Sequence, residues 1–241
     1  MNRDADVKKC PDFGLNFADI SSMKLELISF DLCPYVQRSV ITMKQKKAEF
    51  ALTFIDLEDP PQWFPKLSPL GKVPVLKVDG TVLFESAVIN EYLDETIPPQ
   101  FHPADPLRKA FERSWIEFGS ELLRDEFQLF HASEKKEIEK AKDELFQDML
   151  QLKGALEKRT APGPYFRGKD FSLVDAAIAP FFVRLFLSRE IRDDRRWNEI
   201  PEVKAWGEFL TQLPSVKESV IPGFERKFIS FCKEAGSPLF D

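Results

Sequence analysis

Leu25-Glu26-Leu27-Ile28-Ser29-Phe30-Asp31-Leu32-Cys33-Pro34-Tyr35-Val36 is the stretch whose reading decides the fold of this chain. Residues 25–30 have the β-compatible character of a short strand. Pro34 opens a helix, because its missing N–H would have no partner at the first helical position in any case. Val36, Val40 and Met43 then recur at i, i+4, i+7 and give that helix one buried stripe. Cys33 therefore stands at or beside the N-cap. Unpaired N–H groups and the helix dipole stabilise a thiolate there, which predicts a Cys33 pKa below the free-thiol value of about 8.5. A lone cysteine is more often a small buried hydrophobe. The strand–turn–helix setting, with Val73-Pro74 following 40 residues later, favours a reactive thiol instead.

The other two cysteines lack such a setting. Cys10 lies in a polar leader and reads as an exposed free thiol, and Cys232, after Phe228, Ile229 and Phe231, reads as packing. Their spacings match no metal knuckle, and His102 and His131 are too scattered for zinc, so no metal site is expected.

Outward from Cys33, residues 1–22 read as a leader that carries Asp4, Asp6, Asp12 and Asp19 and no apolar core segment, hence no secretory signal. From 23 to 96 the pattern is strand (25–30), helix (34–47), strand (51–57), loop, strand (73–78), strand (81–84) and helix (86–95). Asp79-Gly80 between apolar runs is a strong hairpin signal. The first strand, helix and second strand form a βαβ unit with parallel strands. This βαβ–ββα order is a thioredoxin-like plan. Residues 97–106 hold Pro98, Pro99, Pro103 and Pro106 and form a linker.

Everything from 107 to 241 reads as helix. Leu107, Phe111, Trp115, Phe118, Leu122 and Leu129 mark one stripe, and Ile138, Ala141, Leu145, Met149, Leu152 and Leu156 another. Ser172 and Asp175 open a further helix as a capping box, and helices follow near 202–212 and 224–235.

With 34 Lys and Arg against 40 Asp and Glu, a net charge of −6, nucleic acid is a poor candidate for the main ligand. No apolar run approaches the roughly 20 residues of a membrane span. A reduced, cytoplasmic setting is the default expectation.

These motifs together resemble the cytosolic glutathione transferases, over about residues 23–235, and within them the cysteine-type omega and lambda-like branch. The carriers are Cys33-Pro34-Tyr35 with Arg38, Pro61-Gln62-Trp63-Phe64, Gly71-Lys72-Val73-Pro74-Val75-Leu76, Phe84-Glu85-Ser86, Glu91-Tyr92-Leu93-Asp94-Glu95, Pro103-Ala104-Asp105-Pro106 and Ser172-x-x-Asp175. The resemblance implies a thioredoxin-like α/β N-terminal domain joined to an all-α domain, glutathione as co-substrate, and a homodimer. Phe127 and Phe130, off the main helical face, are compatible with such an interface or with cover for the chain's own C-terminal segment.

The resemblance also implies roles. Cys33 would be the nucleophile, with Tyr35 beside it as a glutathione contact and hydroxyl alternative. A cis Val73-Pro74 peptide would let the Val73 backbone pair with the cysteinyl unit of glutathione. Ser86 would hold the γ-glutamyl carboxylate at a helix start and Glu85 the α-amine. Taken without the family, the same pair fits an ordinary N-cap and first-turn acid. Omega members carry a lysine where this chain has Pro60, so Lys72 is the candidate partner for the glycyl carboxylate.

Position 36 is Val, so no second thiol follows in a Cys-x-x-Cys arrangement. The expected function is a monothiol transferase or reductase that passes through a Cys33–glutathione mixed disulfide. Cleavage or conjugation of an ether or thioether, and a non-enzymatic partner role, are the alternatives. A small apolar, disulfide or adduct acceptor would lie between the domains, with Trp115, Phe118 and Trp206 as candidate walls or, equally, core aromatics.

Overall fold

The computed structural model describes residues 23–159 and 161–240. Cys10 and the 1–22 leader lie outside the described residues. Four strands, β1 (Leu25–Ser29), β2 (Ala51–Phe54), β3 (Val75–Val78) and β4 (Thr81–Phe84), form one sheet in the order β2-β1-β3-β4. β1 runs parallel to β2 and antiparallel to β3, and β3 is antiparallel to β4. Asp79 and Gly80 have φ of 48° and 93°, as a tight hairpin turn between Val78 and Thr81 requires. β1, β2 and β3 are shorter than the sequence pattern suggested, and β4 has the expected bounds. Prolines and exposed polar residues bound the loop after β2, and it holds one short helix, α2 (Phe64–Leu67), that periodicity could not reveal.

Helices α1 (Pro34–Gln45) and α3 (Ser86–Thr96) pack on each other and on the sheet. Val36, Val40 and Met43 of α1 join Leu27, Ile28, Val75, Leu76, Ile89 and Leu93 in one buried cluster. The opposite side of α1 gives Ile41 to a second, larger cluster built from the helices that follow. These are α4 (Pro106–His131), α5 (Lys135–Glu157), α6 (Leu173–Leu185), α7 (Arg189–Arg192), α8 (Pro201–Gln212), α9 (Pro214–Lys217) and α10 (Phe224–Glu234). No helix among the described residues is long and apolar enough to cross a membrane.

α6 is the hub, with 12 of its 13 residues buried against α1, α4 and α8. The Ser172–Asp175 capping box forms as the sequence suggests. Asp175 Oδ1 also accepts from the Phe166 N–H at 2.8 Å and from Trp206 Nε1 at 2.9 Å, tying a loop and α8 to the start of α6. Gly207 lets α8 approach closely: a Cβ there would lie 2.4 Å from the Phe182 ring.

Polar pins join the sheet layer to the helices. Arg38 of α1 is buried and donates to the Ala177 carbonyl at 2.8 Å and to Ser120 Oγ at 2.9 Å. Lys46 meets Asp94 at 2.9 Å with both side chains buried, and its Nζ also reaches the Ile97 and Pro99 carbonyls. Asp94 in turn accepts from the Phe101 and His102 N–H groups. His102 sits between Glu91 at 2.7 Å and Glu112 at 3.2 Å.

Candidate functional site

Cys33 lies at the N-cap of α1, extended at φ −72° and ψ 118°, and lines two clefts. The first cleft, about 610 Å³, is bounded by the loop Ser68–Pro74, by Phe84-Glu85-Ser86, and by Glu117 and Ser120 of α4. The Val73-Pro74 peptide is cis, as the resemblance implied. The Cys33 thiol faces the Val73 carbonyl at 3.8 Å. Ser68 braces the loop, its hydroxyl accepting from the Lys72 N–H at 2.9 Å and donating to the Lys72 carbonyl at 2.8 Å. That leaves the exposed Lys72 side chain on the rim of both clefts.

Glu85 and Ser86 take places different from those an ordinary helix start would give them. Glu85 is the N-cap of α3, with no side-chain capping bond, and Ser86 is its first residue. The Glu85 backbone has φ 69° and ψ 117°, a region that costs a residue with a Cβ roughly 1–3 kcal/mol. Glu85 lines the cleft, and its carboxylate makes no bond to its own helix end. Tyr35 lines both clefts, its hydroxyl 3.5 Å from the Ser120 carbonyl and its ring 5.1 Å from the Arg38 guanidinium. The structure thus brings Cys33, Tyr35, Lys72, Val73, Glu85 and Ser86 around one cavity.

The thiol's electrostatics run against the sequence expectation. Burial pushes the Cys33 thiol up from its ordinary value. The N–H groups of Val36 and Tyr35, at the helix start, and the charges of Arg184 and Arg38 pull it down without overcoming the burial. The helix-start donors are present as expected; desolvation outweighs them.

The second cleft, about 590 Å³, is apolar and aromatic. Phe127, Phe130 and His131 of α4 face Phe228, Phe231 and Cys232 of α10 across it. Trp115, Phe118 and Trp206 line neither cleft. Trp206 is 2% exposed, held by Asp175 within the core. Trp115 packs on Phe111, Phe118 and Phe166 at ring distances of 5.2–6.1 Å. Trp206 belongs to the core, while Trp115 and Phe118 are half-buried and pack against the same cluster.

Among the wall residues that the sequence reading did not name as candidates are Arg184, Glu126 and His131, and signals for two of these existed. Arg184 is the lone cation of α6, whose other residues apart from Asp175 are apolar, and Glu126 interrupts the Leu122–Leu129 stripe of α4. Such residues are seldom buried without a purpose. His131, stacked on Phe127 at 3.8 Å, carried no pattern of its own.

The profile of the glutathione S-transferase N-terminal domain matches residues 32–96. Rat glutathione S-transferase omega-1 (Rattus norvegicus) is 31% identical over 194 residues, 79% of this chain and 78% of the relative. Glutathione S-transferase DHAR2 of Arabidopsis thaliana is 30% identical over 207 residues, 81% of this chain and 90% of that one. Glutathione transferase Omega 3C from Trametes versicolor superposes with a TM-score of 0.73 at 27% identity, covering 83% of this chain and 90% of its own. The chain belongs to the glutathione S-transferase superfamily, on its omega-like branch.

Proposed function

We propose that this protein is a glutathione-dependent thiol transferase and reductase in which Cys33 is the nucleophile. The observation that carries the reading is that a single thiol borders both clefts. One cleft offers a peptide-like edge at Val73 and a charged, polar end at Glu85-Ser86; the other is an aromatic chamber. The first suits glutathione: the Val73 backbone for the cysteinyl unit, Ser86 at the α3 start for the γ-glutamyl carboxylate, Glu85 for the α-amine, and Lys72 for the glycyl carboxylate. The omega-like and DHAR2 relatives support glutathione as co-substrate.

The chemistry then follows from one sulfur. The Cys33 thiolate attacks the glutathionyl sulfur of a mixed disulfide R–S–S–G, forming the Cys33–S–S–G disulfide as the sulfur–sulfur bond of R–S–S–G breaks and R–S⁻ leaves. The leaving thiolate takes up a proton. A second glutathione thiolate attacks the glutathionyl sulfur of that intermediate, giving oxidised glutathione and restoring the Cys33 thiolate. Tyr35 borders the sulfur, where its hydroxyl can orient the bound tripeptide.

Cys33→Ser tests this directly, since a hydroxyl is scarcely ionised near neutrality. Thiol transfer to bis(2-hydroxyethyl) disulfide should fall by about a thousandfold or more while glutathione binding persists. Transfer that survives the substitution within tenfold would sink the reading. Because burial holds the thiol above its ordinary value, the Cys33-dependent rate should still be climbing above pH 8. A plateau reached below pH 7 would instead restore the lowered value that the helix start alone suggests.

We also infer a homodimer, in the cytoplasm. Leu107, Phe111 and Val88, on α3 and α4, are 79%, 50% and 54% exposed, apolar area that a subunit contact would bury. Phe130 gives no support, because it packs on Phe228 and Phe240 of its own chain. Light scattering that returns the 27.8 kDa mass of one chain at all concentrations would exclude the dimer.

A further inference from the structure

The two clefts beside Cys33 differ in the sign of their charge. Glu85, Glu117 and Lys72 line the glutathione cleft, two acids and one base. Among the Lys, Arg, His, Asp and Glu residues of the aromatic cleft, those open to solvent are Lys72, Arg124 and His131, all basic. Its one acid, Glu126, is only 2% exposed. Its fourth base, Arg184, is buried and spent on Gln37 and on the Leu32 and Pro180 carbonyls. A mouth of one sign over apolar walls concentrates the opposite ion, here on a chain whose net charge is −6.

Arg124, Phe127 and His131 stand at i, i+3, i+7 and form one row along α4, the outer row of the cleft wall. His131 donates from Nδ1 to the Phe127 carbonyl at 2.7 Å and stacks on the Phe127 ring at 3.8 Å. That ring is nevertheless 57% exposed, so its other face is open to a flat ligand, and Phe231 of α10 lines the opposite wall. Arg124 borders the aromatic cleft alone, whereas Lys72 borders both. The ion pair of Arg124 is with Glu121 of the same helix, both side chains more than half exposed. Such a pair contributes little and gives way to a ligand that offers a better carboxylate.

We propose that Arg124 is a specificity-determining residue that selects, for the aromatic cleft, a flat aryl group carrying a carboxylate. The inference rests on the reading of Cys33 given above, which makes this cleft the acceptor's place. The aryl ring lies between Phe127 and Phe231, and the guanidinium takes the carboxylate through two parallel N–H bonds. With glutathione bound, Lys72 is occupied by the glycyl carboxylate, which leaves Arg124 as the cation for the acceptor. A neutral acceptor of the same shape gains the aromatic walls alone.

Three planar probes of one shape test this by titration calorimetry: 2-naphthoate, 2-naphthamide and 2-naphthamidine, an anion, a neutral molecule and a cation. S-methylglutathione, which has no free thiol, fills the neighbouring cleft throughout. Wild-type protein should bind naphthoate about tenfold more tightly than naphthamide, the ratio one hydrogen bond to a charged group supplies, and naphthamidine no more tightly than naphthamide. Arg124→Gln should bring naphthoate to within about threefold of naphthamide, and Arg124→Lys, which keeps the charge, should retain part of the preference. Bound naphthoate should also slow alkylation of Cys33 by iodoacetamide severalfold. Equal affinity of wild type for naphthoate and naphthamide overturns the proposal. So does a preference that survives Arg124→Gln, whatever Lys72→Gln or His131→Gln does to it, and so does alkylation that naphthoate leaves unchanged. Arg124 is exposed, and its variants should fold as wild type does. Transfer to bis(2-hydroxyethyl) disulfide reads Cys33 separately: lost preference with intact transfer defeats the Arg124 assignment alone, and absent transfer with intact preference defeats the Cys33 reading alone.

Discussion

Where the sheet layer meets the helices, Lys46 and Asp94 lie 2.9 Å apart with the Ile97 and Pro99 carbonyls and the Phe101 and His102 N–H groups recruited, and His102 is clasped by two carboxylates. In the aromatic cleft, Glu126 and Arg184 are as deeply buried, yet each keeps an atom without a partner. The two regions bury charge to different ends. Complete pairing makes the first a joint whose geometry the fold dictates and whose disruption the fold must feel. Incomplete pairing in the second leaves hydrogen-bonding capacity that folding does not use, at a position within reach of Cys33. The same contrast appears in the pKa values: ion pairs govern His102 and Glu91, whereas burial governs Cys33 and Glu126.

The largest effect should follow from breaking the joint. Asp94→Asn leaves the Lys46 ammonium buried with no counter-charge, and losing one partner of a buried pair costs about 3–5 kcal/mol. Urea unfolding followed by circular dichroism should show that loss. A change below about 1 kcal/mol would mean that the carbonyls of Ile97 and Pro99 suffice for the ammonium, and the contrast between joint and cleft would weaken. Glu126→Leu should be far less harmful to stability, since it removes an already unpartnered group rather than orphaning one.

A smaller, pH-dependent effect isolates His102. Burial alone would pull this imidazole down, but its hydrogen bonds to Glu112 and Glu91 outweigh that and raise it to about 9. Burial would raise Glu91, but Arg113 and His102 lower it to about 2. A raised histidine contributes fully below its unfolded value of about 6.5, and the contribution fades as pH climbs through about 9. The lowered glutamate contributes above about 4.5 and loses its share as pH falls through about 2. The two shifts view one ion pair from its two ends and are not summed. On the alkaline side the loss should be on the order of 2 kcal/mol, with Glu91 partly screened by solvent. Comparing wild type with His102→Gln at pH 6 and pH 9.5 reads it, because thiols titrate in both chains and cancel. Parallel stability curves for the two proteins would remove His102 from the joint.

How much of this was legible before the structure follows the same division. The strand 25–29, the α1 stripe, the Asp79-Gly80 turn and the Ser172–Asp175 box are local patterns, and each appears where its residues indicated. The residues of the first cleft could be named because short motifs carry them. The walls of the second could not: Phe127 and Phe231 meet across α4 and α10, roughly a hundred positions apart in the chain, and no period links them. Trp206 read equally as a wall or a core aromatic, and the Asp175 carboxylate holds it in the core. The direction of the Cys33 shift was misjudged for a related reason. A helix start is visible in sequence, but the degree of burial set by α4, α6 and α10 is not.

The smallest effect tests whether Glu85 belongs with the cleft or with the joint. Its φ of 69° suits glycine better than any residue with a Cβ, so the fold accepts strain at this position. Glu85→Gly relieves that strain, and Glu85→Ala retains it; both remove the carboxylate. The glycine variant should therefore be the more stable of the two by about 1 kcal/mol, the usual cost of a Cβ at positive φ less glycine's own entropy. Glutathione affinity, measured by calorimetry, should fall about tenfold in both, because the α-amine loses its charged partner whichever residue replaces the acid. If the alanine variant binds glutathione like wild type, the carboxylate has no part in recognition and the strained backbone alone shapes the site. If the two variants are equally stable, the positive φ is not a cost borne for the site, and Glu85 falls on the side of ordinary structure. Stability and binding that move in opposite directions in Glu85→Gly would place it among groups held out of their best folded arrangement where a ligand can use them.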